Sequence, residues 1–434
     1  MNLGKDFEWQ SRLALLVFLV AVAARLAFIG LRPNLGDAPR MDSARYRAIA
    51  HNIVAGRGFS ENGTQPTSRV GPVYPGFIAG IYLVFGENGI AVRIIQAVLG
   101  ALVAVLIFWT TLAFFSRKVA LIASLIVAVH PELVALPAFL YSETVFTLLL
   151  AIGVLVIMVA ASKKKSTMFL CAGIVLGLAT LCRAILLPVP VFLFLAFLVM
   201  RVGWRPALGW SAVIALGMAI CIVPWAARNY AVVHEVVPVS EGTGVQLWEG
   251  NYLPFDGRFR YVETDRMAAK IAGGLSGPAA DRKLLHAAIQ GMRDQPWPTG
   301  WLMVRKVGRL WLEVYENVPI GAKRTPNRRL TAALASWHYA LLALAAAGAA
   351  AARGSARRLS IVYMLLIFMT MAFAVTFAVP RYRLPVMPYV CMLAAVGVCG
   401  LLDGAMRRSA IEPVPKEPKS QRKRRPKSAP AGRS

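Results

Sequence analysis

Hydrophobic positions run in long unbroken stretches along this chain, separated by short and sharply basic breaks. Ten stretches stand out: 13–31, 92–115, 119–136, 138–161, 167–183, 184–200, 207–227, 331–352, 359–379 and 384–402. A bilayer core about 30 Å thick takes roughly 20 apolar residues of helix to cross. The pattern therefore predicts an all-α polytopic membrane protein with about ten transmembrane helices. Two longer segments, 32–91 and 228–330, interrupt the series, and loops of that length usually carry function or structure of their own. In the first, MDSARYRAIAHNIV predicts a helix from Asp42 to Val54, stopped at Gly56 and Gly58. The aromatic and apolar run Val73 to Gly86 is short for a span and is placed as a second helix on the membrane surface. In the second segment, Val-rich runs and glycines before Trp248 predict a small strand-and-turn lid, followed by a polar helix over Thr264 to Asp294. The expected organisation is a membrane domain over 1–403 that carries both segments, and a disordered, basic cytoplasmic tail over 404–434.

Charge refines this picture. Of 434 residues 57% are hydrophobic and only 16% charged, yet the formal net charge is +27. In a soluble protein that excess would point to nucleic acid. Here its position explains it. Arg117-Lys118, Lys163-Lys164-Lys165, Arg201 to Arg205 and Arg353 to Arg358 all fall on alternate short connections, and the tail shares their side. This is the positive-inside pattern. It places both termini in the cytoplasm, and segments 32–91 and 228–330 on the extracytoplasmic side of the cell's inner membrane. Arg422 to Arg425 then reads as attraction to anionic membrane lipids, with no nucleic-acid partner. The five cysteines fall inside apolar stretches and read as packing residues.

The candidate chemistry begins just after the first span, at GDAPRMDSARYRAIAHNIVAGRGF. Acids and arginines beside a bilayer suit a reaction at the membrane surface with an anionic, lipid-linked substrate. Asp42 reads either as a general base for an acceptor hydroxyl or amine, or as a cap for the helix it opens. Asp37, in a Gly-Asp-Ala-Pro turn, reads as a turn former. A phosphate leaving group needs cations, and Arg69, Arg228, Arg381 and Arg383 share the membrane face with Asp42. Arg381, Tyr382 and Arg383 stand between Pro380 and Pro385, either as a phosphate fork or as an interfacial anchor. Glu143 is an acid at membrane depth, where the cost of burying charge implies a role. It could share a divalent metal with Asp42, orient the acceptor, or pair with Arg25 or Arg183. Trp248, Tyr252 and Phe255 could stack on a sugar or form the lid's own core.

Taken in order, these features form a series. MDSARYRAIAHNI is followed by PTSRVGPVYPGFIAGIYLVFG, AVRIIQAVLGAL, Ser142-Glu143, Arg228-Asn229-Tyr230, Gly250-Asn251 and Arg381 to Pro385. The series resembles bacterial membrane glycosyltransferases of the GT-C architecture, of the protein-mannosyltransferase and aminoarabinose-transferase type, like glycosyltransferase family 39. The resemblance covers most of the chain to about residue 403. It implies a GT-C-like bundle with interfacial helices in the first outer loop and a small outer lid. It also implies inverting transfer of a hexose or pentose from a polyprenyl-phosphate-linked donor to an envelope lipid, glycan or protein. The family's first-loop acid carries over to Asp42, with Glu143 as the second catalytic candidate. Arg69, Arg228, Trp248, Asn251, Arg381, Tyr382 and Arg383 become the substrate-binding candidates. Many relatives place an Asp-Glu pair where this chain has Asp42-Ser43, so a divalent metal cofactor would take Glu143 as its second ligand. The chain is compact beside relatives with a large C-terminal outer domain, which suggests a lipid or small glycan as acceptor. The competing reading is a transporter or flippase of lipid-linked sugars. That activity needs charge along a path through the bundle, for which Arg25 and Arg183 are the candidates.

Overall fold

The computed structural model describes residues 3–31, 41–254, 261–314 and 328–409. Among the described residues the named elements are all helices, without a named strand. After the long first helix α1 (Leu3–Leu31) come two short helices, α2 (Met41–Val54) and α3 (Val73–Phe85). They lie where the sequence predicts them. Gly56, Gly58 and Gly86, with φ of 73°, 75° and 66°, take the left-handed backbone that ends such helices without a Cβ penalty.

A run of apolar helices follows: α4 (Gly89–Leu112), α5 (Arg117–Val129), the short α6 (Pro131–Ala135), α7 (Glu143–Lys163), α8 (Ser166–Cys182), α9 (Val189–Val199) and α10 (Trp204–Val233). Then come α11 (Thr243–Asn251), α12 (Tyr261–Ala272), α13 (Gly277–Asp294) and α14 (Pro296–Leu312), and finally α15 (Arg328–Ala351), α16 (Ser360–Val375) and α17 (Met387–Ser409). Five helices (α1, α4, α7, α10 and α15) are long and apolar enough to cross a membrane, and α5 with α6 forms a sixth candidate bent by 54°. The other four expected spans fall on the shorter apolar helices α8, α9, α16 and α17. The protein is a multi-pass membrane bundle.

The lid departs from expectation. The described part of the segment carries helices α11 to α14, and the irregular run over 234–242 before Trp248 forms no strand. Its valines are instead pinned individually: Asn229 Nδ2 donates to Val237 O at 2.9 Å, and Trp225 Nε1 to Val239 O at 2.8 Å. The tail from residue 410 lies outside the described residues, although α17 carries helix on to Ser409.

Glycines let the main helix pairs approach closely. A Cβ on Gly173 would sit 2.3 Å from Ile214 O, and one on Gly217 2.5 Å from Leu170 O, across α8 and α10. Gly348 and Gly397 do the same for α15 and α17, at 1.8 and 2.2 Å from Leu393 O and Leu344 O. Small residues at such contacts supply van der Waals packing that lipid cannot better. These contacts hold α8 to α10 and α15 to α17, and the ends of α7, α8 and α16 come together near α2 at one pole.

Candidate functional site

Four charged side chains from four separate segments converge at that pole. Asp42 lies in the first turn of α2, and Glu143 opens α7. Arg183 follows α8, and Arg381 sits in a 3-10 turn over Pro380–Arg383 between α16 and α17. Arg381 Nη2 donates to Asp42 Oδ2 at 2.8 Å, and its Nε lies 3.3 Å from Glu143 Oε1. Arg183 Nη1 reaches the same Glu143 oxygen at 2.9 Å and Ser142 Oγ at 3.3 Å. The result is a chain of alternating charge running Asp42, Arg381, Glu143, Arg183.

Aromatic rings hold the two guanidiniums flat. Arg381 lies over Tyr141 at 4.6 Å and over Tyr382 at 5.4 Å, and Arg183 lies over Tyr382 at 4.9 Å. Tyr382 is itself stacked on Phe373, with ring centroids 4.9 Å apart. Burial disfavours charge on Arg381, but Glu143, Tyr382 and Asp42 more than offset it and hold its pKa above the usual arginine value. Tyr46, half-buried on α2 one turn after Asp42, is pushed upward first by loss of solvent and then by that carboxylate, so it remains a phenol.

The acids differ in access. The Glu143 side chain is 2% exposed and committed to two arginines, whereas that of Asp42 is 42% exposed. Asp42 is a residue inside α2, and the hydrogen bond it makes among the described residues goes to Arg381 rather than to a backbone amide. Glu143 is thus committed to the two arginines, and Asp42 is the more accessible carboxylate of the cluster. A divalent metal shared by Asp42 and Glu143 does not fit this arrangement, because the Arg381 guanidinium fills the space between them. Among the described residues no group of three His, Cys, Asp or Glu is placed to hold a metal.

Other sequence candidates have different surroundings. Arg383 points away from Arg381, is fully buried, and donates to Leu310 O at 2.9 Å, Glu313 O at 2.6 Å and Glu132 Oε1 at 3.0 Å. It clamps the turn to α14 and α6 and does not join Arg381 in the Asp42 cluster. Trp248 is 3% exposed and packs with Leu284 and Ala288, which makes it part of the lid's core and not a platform for a sugar. Asn251 is also buried, donating to Leu247 O and Val375 O at 2.7 and 2.8 Å. Arg228 donates to Thr67 O at 2.7 Å and Phe59 O at 3.3 Å and lies over Trp225, tying α10 to the loop after α2. Arg69 is exposed on that loop, two residues from Thr67. Asp37 lies outside the described residues.

Lys306 is a residue the sequence reading misses. It is fully buried on α14, with Nζ donating to Thr376 O at 2.6 Å, Asn251 Oδ1 at 3.0 Å, Gly250 O at 3.1 Å and Val375 O at 3.3 Å. It closes the C-terminal end of α16 just before the Arg381 turn, where a cation suits the helix dipole. Burial, followed by repulsion from Arg309, pushes its pKa down to about 7. The available signal was a lysine on the stripe formed by Thr299, Leu302 and Leu310, the buried side of α14.

Comparison with known proteins bears on this geometry. Residues 68–227 match the family model for dolichyl-phosphate-mannose-protein mannosyltransferase. That stretch contains Glu143 and Arg183 but neither Asp42 nor Arg381. An archaeal oligosaccharyltransferase, AglB from Archaeoglobus fulgidus in complex with an inhibitory peptide and a dolichol-phosphate, superposes with a TM-score of 0.56. The two are 14% identical, over 95% of this chain and 53% of AglB. The described chain shares this GT-C-type multi-pass membrane fold.

A second structure of the Archaeoglobus fulgidus oligosaccharyltransferase, with Zn and sulfate, gives a TM-score of 0.53 at 15% identity, over 90% of this chain and 50% of that one. ArnT from Cupriavidus metallidurans bound to undecaprenyl phosphate is a looser likeness, with a TM-score of 0.43 at 16% identity over 96% and 82% of the two chains. The chain spans about half the length of the oligosaccharyltransferase structures it matches. No curated protein matches the sequence. Within the GT-C fold, the Asp42–Arg381 contact joins the first short helix to the turn after α16, outside the matched stretch on both sides.

Proposed function

We propose that this protein transfers a sugar from a polyprenyl-phosphate-linked donor to an envelope lipid, glycan or protein, on the extracytoplasmic face of the inner membrane. The observation that carries the reading is the half-exposed Asp42 carboxylate held against Arg381, with Arg183 close behind. Asp42 accepts the proton of the acceptor hydroxyl or amine as that oxygen or nitrogen attacks the anomeric carbon. The bond from that carbon to the phosphate oxygen breaks on the opposite side, and its electron pair leaves with the phosphate. Attack from behind inverts the anomeric centre. Arg381 and Arg183, fixed by Glu143 and the tyrosines, face the charge that develops on the leaving phosphate, where preorganised donors contribute most. No step requires a metal.

Two observations support transfer over transport. Arg25 is 1% exposed and donates to Ala21 O and Ala128 O at 2.9 and 3.0 Å, and Arg183 belongs to the Asp42 cluster at the pole, so the two do not form a charged path through the bundle. The residue match to mannosyltransferases and the GT-C fold support the same class of chemistry.

The test is Asp42→Asn in a deletion strain, read by mass spectrometry of envelope lipids, glycans and glycoproteins. Asparagine keeps the hydrogen bond and the size but cannot take a proton. A sugar restored by the wild type and not by an equally expressed Asp42→Asn variant is the expected result. Restoration by both removes Asp42 as the base.

A further inference from the structure

α14 presents two different sides. Thr299, Leu302, Lys306 and Leu310 form one and are buried against the bundle. Trp297, Trp301, Val304 and Leu312 fall on the opposite one, at helical spacing, and are between 56% and 88% exposed. A lid helix facing water would carry polar residues there. A continuous apolar stripe with two tryptophans marks an interaction surface.

The neighbouring helices locate that surface. Lys306 Nζ meets Thr376 O just past the end of α16, whereas Trp311 Nε1 donates to Thr370 Oγ1 at 3.0 Å, farther inside that helix. α14 therefore descends along α16 from the Asp42 pole. Thr370 lies about 7.5 Å below Val375, at 1.5 Å per residue. α15 gives an independent measure of depth. His338 Nε2 lies 2.7 Å from Trp311 O. On the same rise, His338 stands roughly 10 Å inside the apolar stretch 331–352.

The end of α14 is hydrogen-bonded as a site without water requires. A helix leaves its last carbonyls unpaired, and in hydrocarbon each must find a partner within the protein. The four carbonyls from Leu310 to Glu313 all meet side-chain donors. Arg383 Nη1 donates to Leu310 O and Glu313 O, His338 Nε2 to Trp311 O, and Tyr339 OH to Leu312 O at 2.9 Å. These donors come from α15 and from the turn before α17.

We propose that α14 inserts into the membrane leaflet at this pole, with Trp297 and Trp301 at the headgroup level and Val304 and Leu312 against lipid tails. Tryptophans of membrane proteins concentrate at that boundary. The surface is continuous with lipid-facing helix, since α16, on which α14 packs, has its own exposed apolar side at Ile367, Met371 and Val375. Lys306 also bonds Gly250 O and Asn251 Oδ1 at the end of α11, so the inserted helix moors the lid to the bilayer. Nothing in this assignment depends on the proposed transfer reaction.

The experiment is photo-crosslinking of the full chain in nanodiscs of phosphatidylcholine and phosphatidylglycerol. p-Benzoylphenylalanine replaces Val304, Leu312 or, as a control, the exposed Lys270 on lid helix α12. After irradiation, mass spectrometry should find adducts on lipid acyl chains at the Val304 and Leu312 positions and none at the Lys270 position. Val304→Asp would carry a charge into hydrocarbon and should lower the unfolding temperature in nanodiscs, whereas Lys270→Asp should leave it unchanged. Absence of lipid adducts at both α14 positions would overturn the insertion, as would wild-type stability in Val304→Asp. Adducts joining two protein chains there would assign the stripe to a second copy and overturn it equally.

Discussion

Arg381 Nη2 lies 2.8 Å from Asp42 Oδ2, although 339 positions separate the two residues in the chain. This contact brings the first short helix over the end of the bundle, and it positions the carboxylate to which we assign the proton transfer.

Arginine at 381 should therefore resist replacement by lysine. A lysine retains the charge but cannot span Asp42 and Glu143 with one planar group. We expect Arg381→Lys to reduce sugar transfer about a hundredfold at unchanged membrane levels, within the range for losing one preorganised donor. Transfer assayed with purified protein checks this. Near-wild-type rates in the lysine variant would reduce Arg381 to a general countercharge.

The pair of Arg383 with Glu132 makes a structural prediction. Removing one partner of a buried pair leaves the other uncompensated, at a cost of roughly 3–5 kcal/mol. Arg383→Met should therefore unfold at clearly lower temperature in detergent than the wild type. The double variant Arg383→Met with Glu132→Leu should recover part of that loss. If the double variant is no more stable than the single one, the carbonyls of Leu310 and Glu313 are the partners that matter.

Lys306 gives the protein a pH dependence of defined sign. Its folded pKa is near 7, against roughly 10.4 for a free lysine. Between those values the unfolded chain binds the additional proton, so stability rises with pH from about 7 toward about 10. Below pH 7 both states are protonated and this contribution no longer changes. Thermal unfolding from pH 6 to 9 should show that rise in the wild type. Lys306→Met should be less stable overall and should lack it. A parallel rise in both proteins would assign the slope to other groups.

Glycine substitutions should separate contact from conformation. Gly348→Ala places a methyl 1.8 Å from Leu393 O and should cost on the order of 1–3 kcal/mol as α15 and α17 are forced apart. Gly76→Ala, on α3 with nothing within 4 Å, should be neutral or slightly stabilising. Comparison of unfolding midpoints for the two variants tests the packing directly.

Particular residues show what the sequence made legible. Periodicity and glycine punctuation placed α2 and α3 almost to the residue, because both signals are local. Hydropathy could not show that His130-Pro131 bends the third span by 54° and brings Glu132 to Arg383, since the apolar run continues through it. Arg381 and Arg383 read as one motif, yet in a 3-10 turn, with three residues per turn, positions two apart lie on different faces. One meets Asp42, and the other meets Glu132. Arg183 and Glu143 were each legible as a costly intramembrane charge, but their pairing depends on how α7 and α8 pack. Trp248 offered equal grounds for platform and core, and only its burial against α13 decides between them.

The four charges at the pole arrive in the order Asp42, Glu143, Arg183, Arg381 as the chain is synthesised. During insertion Glu143 first acquires Arg183, and Asp42 waits for a partner until the turn after α16 has formed. The cluster thus closes only when nearly every helix is in place. A bundle stalled before that turn would hold Asp42 without Arg381, so the proposed transfer site and the assembled bundle would be completed together.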